Sequence, residues 1–395
     1  MKVEALKYRT VFNSGGHAAL EVGIMSDKRW YFSQIPSGQS AGEREAKVFS
    51  VPEVQSVWKK INLQAEGRKF KNLAEFDDFI LRLDGTERKT VLGGNVLLGL
   101  SLAFARALAD GKRMELWEIL REEFFGKVRG VEYPVIYANL IEGGVHAQNN
   151  LDIQEYLVLA QTGPNPIATV GELIAFYETL GEYLANKAKL RPLPIGSESG
   201  YNLIWRNNEE PITALAKIIK ATNLPFRIGL DVAASEFYED GAYRFEGRKK
   251  TTLNLRNIYA KYFKKYPGLI SLEDPFGENN RDGFREIMKN SEGRLVVGDD
   301  LTTTNPKEIE RCAREKLISG VIIKANQIGT LSETCLAIET AHRNGLKCII
   351  SHRGQETEDV FLMHIARAAN AYGVKIGAPG RERILKYNEL LRLYP

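Results

Sequence analysis

The chain has 395 residues, of which 44% are hydrophobic and 26% are charged, as in an average soluble globular protein. This composition excludes a disordered chain, a collagen-like repeat and a coiled coil, and the length indicates two or three domains. The net charge is only +4, and the short basic runs at 68–71 and 248–250 are typical of a solvated surface. We therefore expect no nucleic-acid partner.

The sequence shows no targeting or membrane segment. Its most apolar stretch, residues 96–105, is about half the length needed to cross a bilayer. Cys312, Cys335 and Cys348 are too widely spaced for a zinc motif or a disulfide framework, so we expect them to be buried as small hydrophobes. These features predict a soluble cytoplasmic protein without a membrane partner.

Residues 1–130 predict an α+β domain. Three β-rich runs at 2–12, 17–25 and 29–35 are separated by turn formers and indicate a three-stranded meander. After a Gly/Ser-containing loop at 36–42 the periodicity becomes helical, and Asn72 is a candidate N-cap. The predicted helices are 42–49, 52–62, 73–83, 94–109 and 113–125. Strands followed by helices suggest an antiparallel sheet covered on one face.

Residues 131–395 predict a modified (β/α)8 barrel. Short apolar runs alternate with amphipathic segments, and such runs are typical of parallel strands that are buried on both faces. The runs are 135–140, 156–160, 227–230, 269–272, 295–297, 320–323, 347–350 and 374–376. An open doubly wound sheet is the alternative, but the polar residues that follow the runs favour a barrel.

Six of these apolar runs end at a residue that can bind metal or transfer a proton. The residues are Asp231, Glu273, Asp299, Lys324, His352 and Lys375, separated by 42, 26, 25, 28 and 23 positions. Each interval is about the length of one βα unit, and barrel enzymes place their chemistry where the carboxyl ends of the strands converge. A single such residue is usually a turn former or surface group, whereas six in phase indicate a site.

The residue types at these strand ends suggest metal-assisted proton abstraction. Three carboxylates form an oxygen-only site suited to Mg²⁺. A lysine beside bound cations has its ammonium form disfavoured, so its pKa falls and it can act as a general base. Such a base can remove a proton α to a carboxylate, but the spacing does not identify the substrate.

The segments around these residues resemble the signature segments of the enolase family. They read SLEDPF (271–276), VGDDLT (297–302), IKANQIGT (323–330), SHR (351–353) with ETED (356–359), and KIGAP (375–379). Similar segments upstream are GLDVAASEF (229–237), HA (146–147) with QEY (154–156), PSGQS (36–40) and LGGN (92–95). The likeness covers essentially the whole chain in the family's order.

The resemblance implies two Mg²⁺ ions per active site and a phosphorylated carboxylate substrate. Asp231, Glu273 and Asp299 would hold the tightly bound ion. Ser40, in the Gly/Ser loop, would reach a second ion that arrives with the substrate. The implied reaction is the interconversion of 2-phosphoglycerate and phosphoenolpyruvate, a step of glycolysis and gluconeogenesis.

The resemblance also assigns roles to the remaining site residues. Lys324 would be the base at carbon 2, and Lys375 would face the substrate carboxylate. Glu198 would be the general acid at the leaving hydroxyl, supported by Glu155. The other implied site residues are His146, His352 and Gln154, with Arg353 as the phosphate ligand.

Several positions depart from the family's pattern. The family's Gly-Asp-Glu-Gly-Gly segment is Gly196-Ser197-Glu198-Ser199-Gly200 here, so an acid beside Glu198 is missing. Gly354 replaces a serine that contacts phosphate, and the loss of one donor to a charged group costs about 1.5–3 kcal/mol. Gly15 stands where the family has an arginine. Substrate recognition is therefore less clearly predicted than proton abstraction.

Three hypotheses follow for function. The first is a phosphopyruvate hydratase, a hydro-lyase. The second is a diverged enolase-like lyase that acts on another phosphorylated or carboxylated substrate, and the third is a catalytically silent homologue with a binding role. The family resemblance also implies a homo-oligomer, either a dimer or an octamer.

Overall fold

The N-terminal part of the molecule is built on an antiparallel meander. The structure is a computed structural model that describes residues 1–38, 44–126 and 130–394. The meander consists of β1 (Ala5–Phe12), β2 (Ala18–Ser26) and β3 (Arg29–Ile35), which confirms the three predicted strands. A long helix lies across it at Gly99, where a Cβ atom would come within 2.5 Å of Val22. The glycine therefore permits close contact between helix and sheet.

Four helices follow the meander, and their ends explain where the sequence prediction succeeds. They are α1 (Val51–Ala65), α2 (Leu73–Asp84), α3 (Gly94–Lys112) and α4 (Leu116–Leu120). Asn72 caps α2 by accepting a hydrogen bond from the Glu75 N–H at 2.9 Å, as predicted. The predicted helix at 113–125 is confirmed over 116–125, and only its first three residues are not helical. Arg113 adopts a left-handed conformation (φ 57°) that ends α3, and α4 continues into a π-helical turn over Arg121–Phe125.

The predicted helix at 42–49 is not observed over its described residues, 44–49. Backbone groups in this segment bond to distant parts of the chain instead of to residues four positions away. The Ala46 N–H donates to the Gln327 carbonyl and the Lys47 N–H to the Arg88 carbonyl, both at 2.8 Å. Tertiary hydrogen bonds thus replace helical ones, although the local periodicity favours a helix.

The C-terminal part is a closed eight-stranded barrel, as predicted. The strands after residue 130 are β4 (Val135–Glu142), β5 (Glu155–Gln161), β6 (Arg227–Asp231), β7 (Tyr238–Glu239), β8 (Ala242–Phe245), β9 (Arg248–Lys250), β10 (Leu269–Glu273), β11 (Leu295–Gly298), β12 (Gly320–Ile323), β13 (Lys347–Ser351) and β14 (Gly373–Lys375). The barrel order is β4-β5-β6-β10-β11-β12-β13-β14, with β14 pairing β4, while β7, β8 and β9 form a small separate sheet. This closure excludes the open doubly wound alternative.

Helices surround the barrel and join its strands. They are α5 (Pro166–Ala188), α6 (Glu210–Thr222), α7 (Thr252–Lys265), α8 (Arg281–Lys289), α9 (Pro306–Arg314), α10 (Ala325–Ile328), α11 (Leu331–Arg343), α12 (Phe361–Ala369) and α13 (Ile384–Leu393). Cys312, Cys335 and Cys348 are free and buried, as predicted. Among the described residues, no helix is both long and apolar enough to cross a membrane.

The prediction that all barrel strands are parallel is wrong for one strand, β5. β5 is antiparallel to both β4 and β6, whereas the other barrel neighbours are parallel. The connection between β4 and β5, residues 143–154, contains only one turn of 3-10 helix, so no helical crossover returns the chain to the other end of the barrel. As a result, the amino end of β5, which carries Glu155, lies at the same mouth as the carboxyl ends of the other strands.

Candidate active site

The six strand-end residues that the sequence singles out do meet at one mouth of the barrel. A cavity there is lined by residues that include Asp231, Asp299, Lys324, His352 and Lys375. Glu273 ends β10 beneath this cavity and contacts Lys375. The convergence follows from strand geometry, because six strands deliver their carboxyl ends to one side of a closed barrel.

Asp231, Glu273 and Asp299 form a compact carboxylate group. Each side chain offers an oxygen within 4.8 Å of the others, and all three residues are buried. Among the described residues, Asp299 Oδ1 has no hydrogen-bond partner although it is buried. Buried carboxylates without partners are costly, and a hard divalent cation would satisfy them. The donor set therefore fits a metal ion with oxygen ligands.

Lys375 lies against this carboxylate group. Its Nζ is 2.8 Å from Asp231 Oδ2, 2.7 Å from Glu273 Oε1 and 3.1 Å from Glu155 Oε2. Burial lowers the pKa of Lys375, but the three carboxylates outweigh burial and hold its pKa well above the usual value. Lys375 is therefore a fixed cation at the floor of the site.

Lys324 forms an ion pair with Asp299. Burial lowers the pKa of Lys324 and the Asp299 carboxylate raises it, with a net upward shift. Since Asp299 also belongs to the carboxylate group, a cation bound there would share this carboxylate with Lys324, which pairs with Asp299 Oδ2. The protonation state of Lys324 therefore depends on whether a cation is bound to the carboxylate group.

A second cluster faces the lysines and contains His146, Glu155 and Glu198. Their ligand atoms also lie within 4.8 Å of one another, and His146 Nδ1 is 3.4 Å from Glu155 Oε1 and 3.7 Å from Glu198 Oε1. Burial raises the pKa of Glu155 well above its usual value, although Lys375 opposes that shift. A carboxyl group of this kind can retain a proton at neutral pH and donate it.

His352 and Asn139 hold the Glu198 carboxylate from two further strands. His352 Nε2 is 3.2 Å from Glu198 Oε2, and Asn139 Nδ2 donates to the same oxygen at 3.2 Å. Burial lowers the pKa of His352 to about 4, against the opposing effect of Glu198, so its imidazole is neutral near pH 7. Burial raises the pKa of Glu198, but His352, His146 and Arg383 outweigh burial and hold its pKa well below the usual value.

Arg353 and Gln154 line the same cavity, and Arg353 is held in place on both sides. Its guanidinium donates to Asn326 Oδ1 at 2.8 Å and to Glu45 Oε2 at 3.3 Å. Arg383 fixes the backbone here by donating to the Arg353 carbonyl at 2.9 Å and to the Gly354 carbonyl at 2.6 Å. Ser40, the predicted ligand of a second ion, lies outside the described residues.

The sequence analysis missed two acidic groups that shape the site. Asp274, with a left-handed backbone (φ 38°), accepts the Asp299 N–H at 3.1 Å and the Asp300 N–H at 2.7 Å, so it orients the loop after β11. Glu142 ends β4 and contacts the loop that carries Glu198. The rule that found the other strand-end residues also applies to Glu142, because it directly follows the apolar run of the first barrel strand.

Comparison with known families identifies this arrangement. Two family models match, described as "Enolase, N-terminal domain" over residues 3–120 and "Enolase, C-terminal TIM barrel domain" over residues 131–394. The chain belongs to the enolase family. The predicted family, the barrel fold and the assignment as a lyase are confirmed.

Relatives of the enolase family match along almost the full length of this chain. The proteins named "Enolase" of Elusimicrobium minutum and Acidothermus cellulolyticus are 35% and 37% identical to it. "Enolase 2" of Lactobacillus johnsonii is 36% identical. Each comparison covers 99% of this chain and 94–95% of the relative.

Proposed function

We propose that this enolase-family protein catalyses the Mg²⁺-dependent dehydration of 2-phospho-D-glycerate to phosphoenolpyruvate and the reverse reaction. The observation that carries the proposal is the arrangement of two lysines between two buried acidic clusters at one barrel mouth. The relatives named enolase support the same reaction. Such a site can remove one proton and deliver another on opposite sides of a small anion.

Asp231, Glu273 and Asp299 would hold the tightly bound Mg²⁺. Their oxygen-only donors and the unpartnered Asp299 Oδ1 suit a hard cation. When bound, Mg²⁺ would neutralise negative charge that develops on the substrate carboxylate. Ser40 is the proposed ligand of a second Mg²⁺. Lys375 adds a fixed positive charge beside the same carboxylates.

Lys324 is the proposed general base. Its Nζ lies at the cavity wall, and its pKa depends on the Asp299 carboxylate, which also belongs to the metal site. A cation bound at Asp299 would offset the carboxylate charge that raises the pKa of Lys324, and so would favour the neutral amine. Lys324 then takes the proton from carbon 2, and the electron pair moves into the carboxylate as an enediolate.

Glu198 is the proposed general acid, at the opposite end of the cavity. Because the pKa of Glu198 is lowered and that of neighbouring Glu155 is raised, Glu155 is the proposed source of the proton that Glu198 passes to the 3-hydroxyl. The C3–O bond then breaks, and water leaves as the electron pair of the enediolate forms the C2=C3 bond of the enol phosphate. Glu155 and His146 support this proton delivery, because His146 Nδ1 lies 3.4 Å from Glu155 Oε1 and 3.7 Å from Glu198 Oε1. His352 holds Glu198 from the other side.

Arg353 is the proposed phosphate ligand, with Gln154 lining the cavity close by. A guanidinium offers paired donors in the geometry that phosphate accepts, and Asn326 and Glu45 keep its plane fixed. Gly354 contributes no side-chain donor, so we expect phosphate binding to depend more heavily on Arg353 than in the rest of the family.

A coupled assay tests the proposal. Purified protein with 2-phosphoglycerate and Mg²⁺ should form phosphoenolpyruvate, and chelation of the metal should abolish the activity. Absence of turnover together with retained Mg²⁺ binding would instead support a diverged lyase with another substrate. Absence of both would support a silent homologue with a binding role.

We also propose that the protein acts in the cytoplasm as a homo-oligomer. The family resemblance supports this assembly, and three buried free thiols are compatible with a reducing compartment. Analytical ultracentrifugation measures the assembly directly. A dimer or an octamer is the expected result, and a monomer at micromolar concentration would contradict it.

A further inference from the structure

One buried carboxyl group, that of Glu142, holds the whole loop that carries Glu198. Glu142 Oε1 accepts hydrogen bonds from the Glu198 N–H at 3.0 Å and from the Gly200 N–H at 2.6 Å. Glu142 Oε2 accepts from the Ser197 hydroxyl at 3.3 Å. Three donors on the 196–200 loop therefore converge on one side chain at the end of β4.

The glycines of the loop make room for this side chain. A Cβ atom at position 196 would lie 2.2 Å from Glu142 Oε2, and one at position 200 would lie 2.9 Å from Glu142 Cγ. Any side chain at either position would have to displace the carboxyl group. The two glycines therefore allow the loop to pack directly against the Glu142 carboxyl group.

Glu142 supplies a second acid beside Glu198, the one acidic residue of the 196–200 loop. The resemblance to the enolase family predicts an aspartate at position 197, where this chain has serine. Glu142 reaches the same neighbourhood from the barrel strand and bonds to the Ser197 hydroxyl. The charged and titratable groups that face it are Glu198 from the loop, Arg383 from the segment before α13 and Tyr177 from α5.

The surroundings of Glu142 favour the protonated form of its carboxyl group. Burial, reinforced by the neighbouring Glu198 carboxylate, raises the pKa of Glu142 to about 8. A neutral carboxyl group still accepts the two backbone N–H bonds. A glutamine side chain has nearly the same shape and offers the same acceptor oxygen, which makes it a close mimic of this form.

We propose that Glu142 is a positioning residue for Glu198: it holds the loop at 196–200 so that the general acid meets the leaving hydroxyl. The inference rests on the proposed dehydration, in which Lys324 removes the proton at carbon 2 before Glu198 acts. Displacement of the acid should therefore impair water loss and spare proton abstraction. Misplacement of a catalytic group by about 1 Å can cost about 100-fold in rate.

The test compares Glu142→Ala and Glu142→Gln with the wild-type protein at pH 7. Glu142→Ala should lower kcat for dehydration by about 100-fold and leave KM within about threefold of the wild-type value. It should still exchange the carbon-2 proton of 2-phosphoglycerate for deuterium from solvent. Glu142→Gln keeps the acceptor oxygen and should recover kcat to within about tenfold of wild type.

Glu389→Gln is the matched control, because Glu389 on α13 is also a buried glutamate but pairs with His364 at 3.0 Å and does not line the active-site cavity. It should leave kcat unchanged. Where Glu142→Ala does not fold, Glu142→Asp applies instead, since it withdraws the acceptor by one methylene group and should show the same loss.

Three results would overturn the inference. They are an unchanged kcat in Glu142→Ala, an equal loss in the alanine and glutamine variants, and a parallel fall of dehydration and deuterium exchange. Failure of the proposed function looks different, because the wild-type protein would then show neither dehydration nor exchange with 2-phosphoglycerate.

Discussion

Glu155 lies directly opposite Asp231 in the pairing of β5 with β6, although Glu155 begins its strand and Asp231 ends its own. The antiparallel direction of β5 causes this relationship, and Glu142 faces Glu155 from β4 on the other side. Three carboxyl groups therefore stand in one row across three neighbouring strands. This row connects the carboxylate group of Asp231, Glu273 and Asp299 with the second cluster, which contains Glu155 and Glu198.

Removal of the base should stop the reaction at its first step. Lys324→Ala should lower kcat by at least about 1,000-fold, since general bases contribute about 10²–10⁴-fold, and it should also abolish deuterium exchange at carbon 2. Folding and Mg²⁺ binding should be nearly unchanged, as judged by circular dichroism and titration calorimetry. Appreciable residual exchange would show that the base is assigned to the wrong residue.

The carboxylate cluster predicts stabilisation by Mg²⁺. A ligand that binds only the folded state raises its stability, so the wild-type melting temperature should increase with Mg²⁺ concentration. Glu273→Gln replaces a charged ligand with a neutral one and should lose most of this increase. Glu239→Gln, on an exposed strand, is the control and should respond as wild type does. An undiminished response in Glu273→Gln would exclude Glu273 as a ligand.

Gly354→Ser should restore a phosphate contact. A new hydroxyl donor to a charged group contributes about 1.5–3 kcal/mol, so KM for 2-phosphoglycerate should fall by about tenfold or more. Arg353→Lys should act in the opposite direction, because lysine cannot make the paired contact. Steady-state kinetics of the two variants measure both effects. A KM that rises in Gly354→Ser would indicate that the loop holds phosphate through other groups.

Asp77 is buried where α2, α3 and α11 meet, and we expect it to make the free energy of unfolding depend on pH. It accepts hydrogen bonds from the Ser101 hydroxyl at 3.0 Å and from the Ser332 N–H and hydroxyl at 2.9 and 2.7 Å. Burial raises its pKa from 3.8 to about 7, against the effect of these donors. Its contribution to stability is therefore full below pH 4 and is lost as the pH rises through about 7.

Asp77→Asn should remove this pH dependence of the free energy of unfolding, because the amide resembles the protonated acid and does not titrate. The variant should melt several degrees above wild type at pH 8, at about 2–4 °C for each kcal/mol, and the difference should shrink at pH 5. Asp78→Asn, one position along on the exposed face of α2, should show no such pH dependence. Parallel melting curves for Asp77→Asn and wild type across this pH range would contradict the assignment.

Periodicity predicted the elements well where local and tertiary preferences agree. α2 begins at its predicted N-cap, Asn72, because the cap bond is local. The segment at 44–49 fails because its backbone groups bond to Gln327 and Arg88, which no local pattern reveals. The domain boundary at residues 130 and 131 stays a prediction.

The sequence by itself determined which residues end the barrel strands. Asp231, Glu273, Asp299, Lys324 and Lys375 each follow an apolar run, so their chemistry and their common mouth could be inferred from spacing alone. Hydrophobic periodicity is a local property of the chain, and that is why the strand ends can be inferred from the order of residues.

Only the tertiary structure decided how these groups interact. Three of these interactions join residues that are distant along the chain. They are the antiparallel pairing of β5 with β6, the ion pair of Lys324 with Asp299, and the hydrogen bonds of Glu142 to the 196–200 loop. Their pKa values depend on burial and on neighbours from other strands, and both arise only when the barrel closes. The net charge of +4 therefore does not indicate a function. The proposed chemistry depends instead on a few buried charged residues that meet at one mouth of the barrel.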